Sequence, residues 1–201
     1  MSAVCTSLSD ALIPLAEPPQ GLGWNHDDIA DWLGDAPLMP AAVLVGVRDS
    51  GQQDVIFTRR HDELTQHAGQ VAFPGGGMEA GDADMVDTAL RETEEEIGLP
   101  RSAVTPLGFL DGFETISGFH VTPVVACIDA DAPPLAPNAD EVADVFEVPL
   151  AFFLDADNLR RYTMTYRGRQ RSMVEFQFSG YRIWGATAAM LFNLLKRMGL
   201  T

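Results

Sequence analysis

Runs of apolar residues, broken by glycine, proline and acidic turns, divide the chain into short strands and two well-marked helices. Ala-Ala-Val-Leu-Val-Gly-Val at 41–47 reads as a buried strand, and beyond the Asp49-Ser50-Gly51 turn residues 54–58 make its hairpin partner. A short strand from Gln70 to Phe73 ends at Pro74-Gly75-Gly76-Gly77, and a helical pattern follows from about Ala83 to Ile97. Within it Val86, Leu90, Thr93 and Ile97 recur at steps of four, three and four, a largely apolar stripe suited to packing on a sheet. Segments 105–109, 121–128, 142–148 and 176–183 alternate or run apolar as further strands. Ala186 to Met198 reads as a closing helix with Lys196 and Arg197 in its last turn, where cations suit the carbonyl end. The pattern predicts an α/β protein of the α+β kind, one mixed sheet flanked by helices. Residues 1–36 read as an N-terminal extension packed on the domain of residues 37–201. It holds a short helix, the breaker Pro18-Pro19, a Gly21-Leu22-Gly23 turn and a helical stretch from Asp27 to Leu33.

At 201 residues and 46% hydrophobic composition the chain can bury one sizeable core. Asp and Glu outnumber Lys and Arg by 29 to 13, a formal charge of -16, which excludes the electrostatic footprint of a duplex nucleic-acid binder. No apolar stretch is long enough to span a bilayer. The patch from Ala11 to Ala16 has no Lys or Arg ahead of it and is interrupted by Pro14, so neither a signal peptide nor a membrane anchor is expected. A cytoplasmic protein is the expectation. Cys5 and Cys127 are too few for a disulfide framework or a zinc site, and are expected as buried, idle thiols in a reducing compartment.

Candidate chemistry sits on the helix after the glycine loop. Glu92 stands three and four residues before Glu95 and Glu96, so the three carboxylates are expected to share a surface turned away from the apolar stripe, with Glu94 pointing elsewhere. Such like-charge pairs cost an isolated helix roughly 0.2–0.5 kcal/mol each, a penalty that a cation between them would reverse. Mg²⁺ or Mn²⁺ suits carboxylate oxygens and takes further ligands from substrate phosphates. Arg91, four residues before Glu95, is expected to position that side chain. A Glu-rich face in an acidic protein is more often merely solvated. What raises this one above that base rate is its place in a strand, glycine loop, helix order that presents a loop to phosphate.

The run Phe73-Pro74-Gly75-Gly76-Gly77-Met78-Glu79-Ala80-Gly81-Asp82, followed by Arg91-Glu92-Thr93-Glu94-Glu95-Glu96-Ile97-Gly98-Leu99, resembles the box of the Nudix hydrolases. The second half matches from Arg91 to Leu99, with Thr93 where an aliphatic residue is usual. In the first half Asp82 stands where the box has Glu, and eight residues rather than seven separate it from Arg91; holding Arg91 and capping the helix are its candidate roles. The resemblance implies a mixed sheet sandwiched between helices and hydrolysis of a nucleoside diphosphate linked to another group. It implies divalent metals on Glu92, Glu95, Glu96 and the Gly76 carbonyl, and a further carboxylate from a later loop. Glu141, at the head of the 142–148 strand, is the candidate for ligand or general base.

Upstream, Phe57-Thr58-Arg59-Arg60-His61 and His67-Ala68-Gly69-Gln70-Val71-Ala72-Phe73-Pro74-Gly75-Gly76 are similar to the extra motif of the coenzyme A pyrophosphatase branch of that family, and Ile183 to Ala188 resembles its end. Arg60 matches the motif's first arginine, whereas Thr65 stands in place of the second. This likeness implies coenzyme A as the small-molecule partner, cut to 3′,5′-ADP and 4′-phosphopantetheine. Arg59, Arg60, His67, Gly75 and Gly76 would then be the substrate-binding positions, with homodimerisation left open. Other readings are a Nudix enzyme for ADP-ribose or a dinucleotide, and a Nudix-fold binding module without catalysis.

Overall fold

The computed structural model describes residues 3–49, 51–61, 69–166 and 168–200. Its elements run α1 (Ala3–Ala11), α2 (His26–Ile29), β1 (Met39–Arg48), β2 (Asp54–Arg60), β3 (Val71–Ala72), β4 (Gly75–Gly77) and α3 (Met85–Ile97). Then follow β5 (Val104–Phe109), β6 (Phe113–Glu114), β7 (Phe119–Ile128), β8 (Val142–Pro149), α4 (Leu150–Leu154), β9 (Arg160–Tyr166), β10 (Arg169–Phe178), β11 (Tyr181–Trp184) and α5 (Gly185–Arg197).

Strand β1 is the centre of a mixed sheet. It runs parallel to β7 from Met39 opposite Phe119 to Arg48 opposite Ile128, and antiparallel to β2 and β4. Side chains of a strand alternate between faces, and β1 shows it: Ala41, Val45 and Val47 enter one core with α1 and α5, while Ala42 and Leu44 enter another with α3. The sheet is therefore sandwiched between helices, as expected. A second, antiparallel sheet in the order β11-β10-β9 packs beside it, and Phe176 and Ile183 join the first core.

Two expectations change here. The apolar run at 176–183 is two strands joined by a turn, because Ser179 and Gly180 take positive φ of 47° and 89° and reverse the chain. Strand β9 is not anticipated at all, since Arg-Arg-Tyr-Thr-Met-Thr-Tyr is half-exposed and lacks an apolar face strong enough to mark it.

The N-terminal extension is built into the fold. Cys5, Leu8 and Leu12 are buried in the first core, and Ile13 exchanges backbone hydrogen bonds with Phe109 at 2.9 Å each way, lengthening the sheet at β5. The helical stretch expected from Asp27 to Leu33 divides into α2 and a 3-10 turn at Ala30–Trp32, and Trp32 lies edge-on to Tyr166 of β9. The cysteines depart from expectation: Cys5 and Cys127 are joined as a disulfide, Cα atoms 6.3 Å apart, tying α1 to β7. Their separation of 122 residues hides the pairing from sequence patterns. Closing a loop that long stabilises by about 4–5 kcal/mol in the chain-entropy picture. Dithiothreitol should accordingly lower the melting temperature of the oxidised protein by about 10 °C, and should leave a Cys127→Ser variant's melting temperature unchanged.

Buried Glu114 holds the middle of the extension. Its carboxylate accepts from Gly23 N–H at 2.9 Å and contacts His26 Nδ1 at 2.6 Å, while Asn25 brackets its backbone. Burial alone would raise its pKa, but the Gly23 hydrogen bond and the His26 contacts outweigh it and hold the group below the usual carboxylate value. A depressed carboxylate stabilises fully above its unfolded pKa and loses that contribution as pH falls through the folded one. The extension should thus become protease-sensitive only below about pH 4, the usual Glu range. A Glu114→Gln variant should be cleaved more readily already at pH 7.

Candidate active site

Helix α3 owes its limits to its sequence. The Asp84 side chain accepts from Asp87 N–H at 2.9 Å as the N-cap, and Gly98 closes the helix in the left-handed region at φ 67°. The buried face comprises Thr88, Ala89, Thr93, Glu96 and Ile97, with Val86 and Leu90 packed at its margin. Thr93 is tolerated in the core because its hydroxyl donates to Ala89 O at 2.6 Å.

Glu96 corrects the expectation of three carboxylates on one outward surface. Only 5% exposed, it lies on the sheet side of the helix, one step from Ile97 and three from Thr93, facing the glycine strand β4. Gly75 N–H donates to its Oε2 at 3.2 Å, so this glycine, expected at the substrate, holds a carboxylate. Glu92 is half-buried over Gly76, where an added Cβ would fall 2.5 Å from the Glu92 carboxyl carbon. The Glu95 side chain is 58% exposed.

Arg91 ties these parts together. Its Nη1 reaches Glu92 Oε1 at 2.9 Å and Glu95 Oε2 at 3.0 Å, and Nη2 donates to Gly77 O at 3.0 Å. On its other side Nε and Nη2 form a bidentate pair with the two Asp82 oxygens at 2.8 and 3.0 Å. Asp82 also accepts from Thr88 Oγ1 and from Glu79 N–H, both at 2.9 Å. The Arg91 hydrogen bonds above all hold the Asp82 carboxyl well below the ordinary range. The shorter acid, one residue out of register with the box, therefore anchors Arg91, while the helix cap falls to Asp84.

Glu141 is exposed, but its turn is pinned to the end of α3. Asn138 N–H donates to Glu96 O and Ala136 N–H to Ile97 O, each at 2.8 Å, satisfying carbonyls that the helix leaves open. Burial, chiefly, pushes the Glu96 carboxyl up to about 7; the charges of Glu92 and Glu141 add to the rise, while Gly75 N–H and Arg60 oppose it. Glu92 is raised too, first by burial and then by Glu95 and Glu141, against the pull of Arg91. Glu92, Glu96 and Glu141 thus share one field.

Of the cations upstream, Arg60 approaches Glu96, with Nη1 4.0 Å from Oε1, and its Nε is buried with no acceptor among the described residues. Arg59 lies beside Asp144, its register partner in β8, and the Tyr181 hydroxyl that bonds Asp144. His67 and Thr65 lie outside the described residues. Phe113 packs in the core against Trp24, and Phe119 is packed against that same core.

Among the described residues no three of His, Cys, Asp and Glu stand gathered as a ready metal site. The donor set nevertheless suits a hard divalent cation. Two carboxylates kept partly out of water repel each other beside a glycine strand with no side chain in the way. Glu92 and Glu95 lean toward Arg91, and rotation of their flexible ends would free oxygens for a cation.

Residues 37–167 match the NUDIX domain family model. The "Uncharacterized Nudix hydrolase NudL" of Shigella flexneri is 39% identical over 161 residues, covering 80% of this chain and 83% of that protein. Its counterpart in Escherichia coli O157:H7 is 39% identical over 160 residues with the same coverage. Among solved structures, a MutT/nudix family protein from Enterococcus faecalis superposes with a TM-score of 0.50 at 15% identity, over 90% of this chain and 76% of that one, a likeness of fold. The chain belongs to the Nudix family. It is a hydrolase acting on diphosphate bonds, in a family that generally uses divalent metal ions. No helix among the described residues is long and apolar enough to cross a membrane.

Proposed function

We propose that the protein hydrolyses coenzyme A to 3′,5′-ADP and 4′-phosphopantetheine with Mg²⁺ or Mn²⁺. The observation that carries this reading is Arg60, a guanidinium in a chain poor in cations, set against Glu96 with a buried N–H lacking an acceptor among the described residues. A phosphate oxygen of the substrate supplies that acceptor, and a coenzyme with a phosphate beyond its diphosphate suits the basic side chains of Arg59 and His67 as further donors.

Glu92 and Glu96, with Glu95 once it turns from Arg91 and the carbonyl of Gly76, are the residues that would hold the cations. The bound metal neutralises charge on the diphosphate and lowers the pKa of the attacking water. Glu141 takes the proton from that water as its oxygen bonds to phosphorus. The bond from that phosphorus to the bridging oxygen breaks, and the bridging oxygen leaves on the departing phosphate. Arg91, held by Asp82, keeps Glu92 in place, and Arg60 orients the phosphates. Residues 1–36 act as an extension that stiffens the domain of residues 37–201.

A substrate panel tests this. Coenzyme A should be the best substrate by kcat/KM, releasing 3′,5′-ADP, and Arg60→Ala should raise its KM about tenfold or more. Preferred turnover of ADP-ribose or a dinucleotide would overturn the substrate assignment while leaving the diphosphate chemistry intact.

A further inference from the structure

A second cavity lies remote in sequence from the carboxylates, where α4, the start of β9 and the end of α5 meet. Its volume is about 410 Å³, within the range of roughly 300–1,000 Å³ usual for small-molecule sites. Phe153, Leu154, Leu159, Leu195 and Leu200 give it apolar walls, and Arg161 is the charged residue in its lining. Leu154 and Leu200 remain 38% and 46% exposed, large aliphatic side chains left open to water at one place. Arg161 lies over the Phe192 ring, 4.8 Å from its centroid, and has no carboxylate partner among the described residues. In a chain with 29 acidic side chains against 13 basic ones, an arginine left without an acid beside an apolar hollow is a specific arrangement.

We infer that this cavity binds a linear aliphatic carboxylate, its hydrocarbon tail against the leucines and Phe153 and its carboxylate on the Arg161 guanidinium. The chemistry follows from the two halves of the site. Apolar walls favour a chain that leaves water, and each methylene buried adds to binding. A guanidinium set over an aromatic ring can still offer N–H donors to a carboxylate. A cationic ligand is repelled by Arg161, and a neutral one forgoes the ion pair. The site is independent of the substrate assignment, since it shares no residue with the carboxylates of α3 or with Arg60.

Calorimetric titration of the full-length protein with hexanoate, octanoate and decanoate, and with octan-1-ol, tests the inference. Affinity for the carboxylates should rise about fourfold per added methylene, and octanoate should bind at least tenfold more tightly than octan-1-ol. Arg161→Gln should remove that preference, weakening octanoate at least tenfold and leaving octan-1-ol unchanged. Leu200→Ala, at the exposed rim, should weaken both. Saturating coenzyme A should not alter octanoate affinity. Equal binding of acid and alcohol by the unaltered protein, no binding at millimolar concentration, an unchanged octanoate affinity in Arg161→Gln, or displacement by coenzyme A would each overturn the inference. The comparison of acid with alcohol needs no variant, so it stands whatever becomes of the variants' folding.

Discussion

Glu96→Gln should lower kcat by about a thousandfold while the protein stays folded. The side chain is buried at 5% exposure, and its charged form is disfavoured by burial and by Glu92 and Glu141. Glutamine has the same shape, its amide oxygen can still accept from Gly75 N–H, and it removes a charge that is costly to bury. The melting temperature at pH 8 should therefore hold or rise. Activity responds the other way, because a neutral oxygen is a poor ligand for a hard cation. Several kcal/mol of transition-state stabilisation then go, and each 1.36 kcal/mol is a factor of ten. Glu95→Gln should cost less, since that carboxylate stands out in water with its side chain 58% exposed. Steady-state kinetics beside thermal melts check both, and near-normal turnover in Glu96→Gln would remove Glu96 from the site.

The second large effect is expected in the glycine strand, where three adjacent glycines should respond to alanine in three different ways. Gly75→Ala should impair folding. Gly75 has φ +155°, and a Cβ there would meet Ala42 O at 2.3 Å and Val43 Cα at 2.6 Å, both backbone atoms in the centre of the sheet. Gly76→Ala should fold, because the three atoms nearest its Cβ, at 2.5–2.6 Å, all belong to the flexible end of Glu92. That contact turns the Glu92 carboxylate away, so kcat should fall by about a hundredfold or more, in line with the sensitivity of catalysis to small misplacement. Gly77→Ala should be close to neutral, since nothing among the described residues lies within 4 Å of an added Cβ. Soluble yield, melting temperature and kcat for the three variants separate these outcomes. Full activity in Gly76→Ala would show that Glu92 need not sit over that residue.

Much of this was legible in the chain because periodicity and spacing are local. The steps of four, three and four from Val86 to Ile97 mark α3, the glycine run marks the loop ahead of it, and the acid spacing marks the site. The burial of Glu96 was not legible, because it depends on which strand lies against the helix. A helical projection sets Glu96 beside Ile97 but says nothing of a side-chain-free glycine strand that accepts it there. Asp82 was legible in part: holding Arg91 and capping the helix were its two candidate roles, and the choice between them needs the geometry of the turn from Glu79 to Asp84. Strand β9 escaped because Arg161, Thr163 and Thr165 make one face polar and exposed, and the other carries only half-buried Tyr162, Met164 and Tyr166. The Cys5–Cys127 pair escaped because nothing local links α1 to β7. Arg60 was singled out by its motif, but its place beside Glu96 is a tertiary contact between β2 and α3 that no local spacing shows.

Hydrolysis of coenzyme A followed by product analysis, in protein stripped with a chelator and then resupplied with Mg²⁺ or Mn²⁺, bears most directly on the central claim. Stripped protein should release no 3′,5′-ADP, and resupply should restore turnover in the unaltered chain but not in Glu96→Gln. Hydrolysis that persists in the chelator, or resupply that revives Glu96→Gln as fully as the unaltered protein, would contradict it.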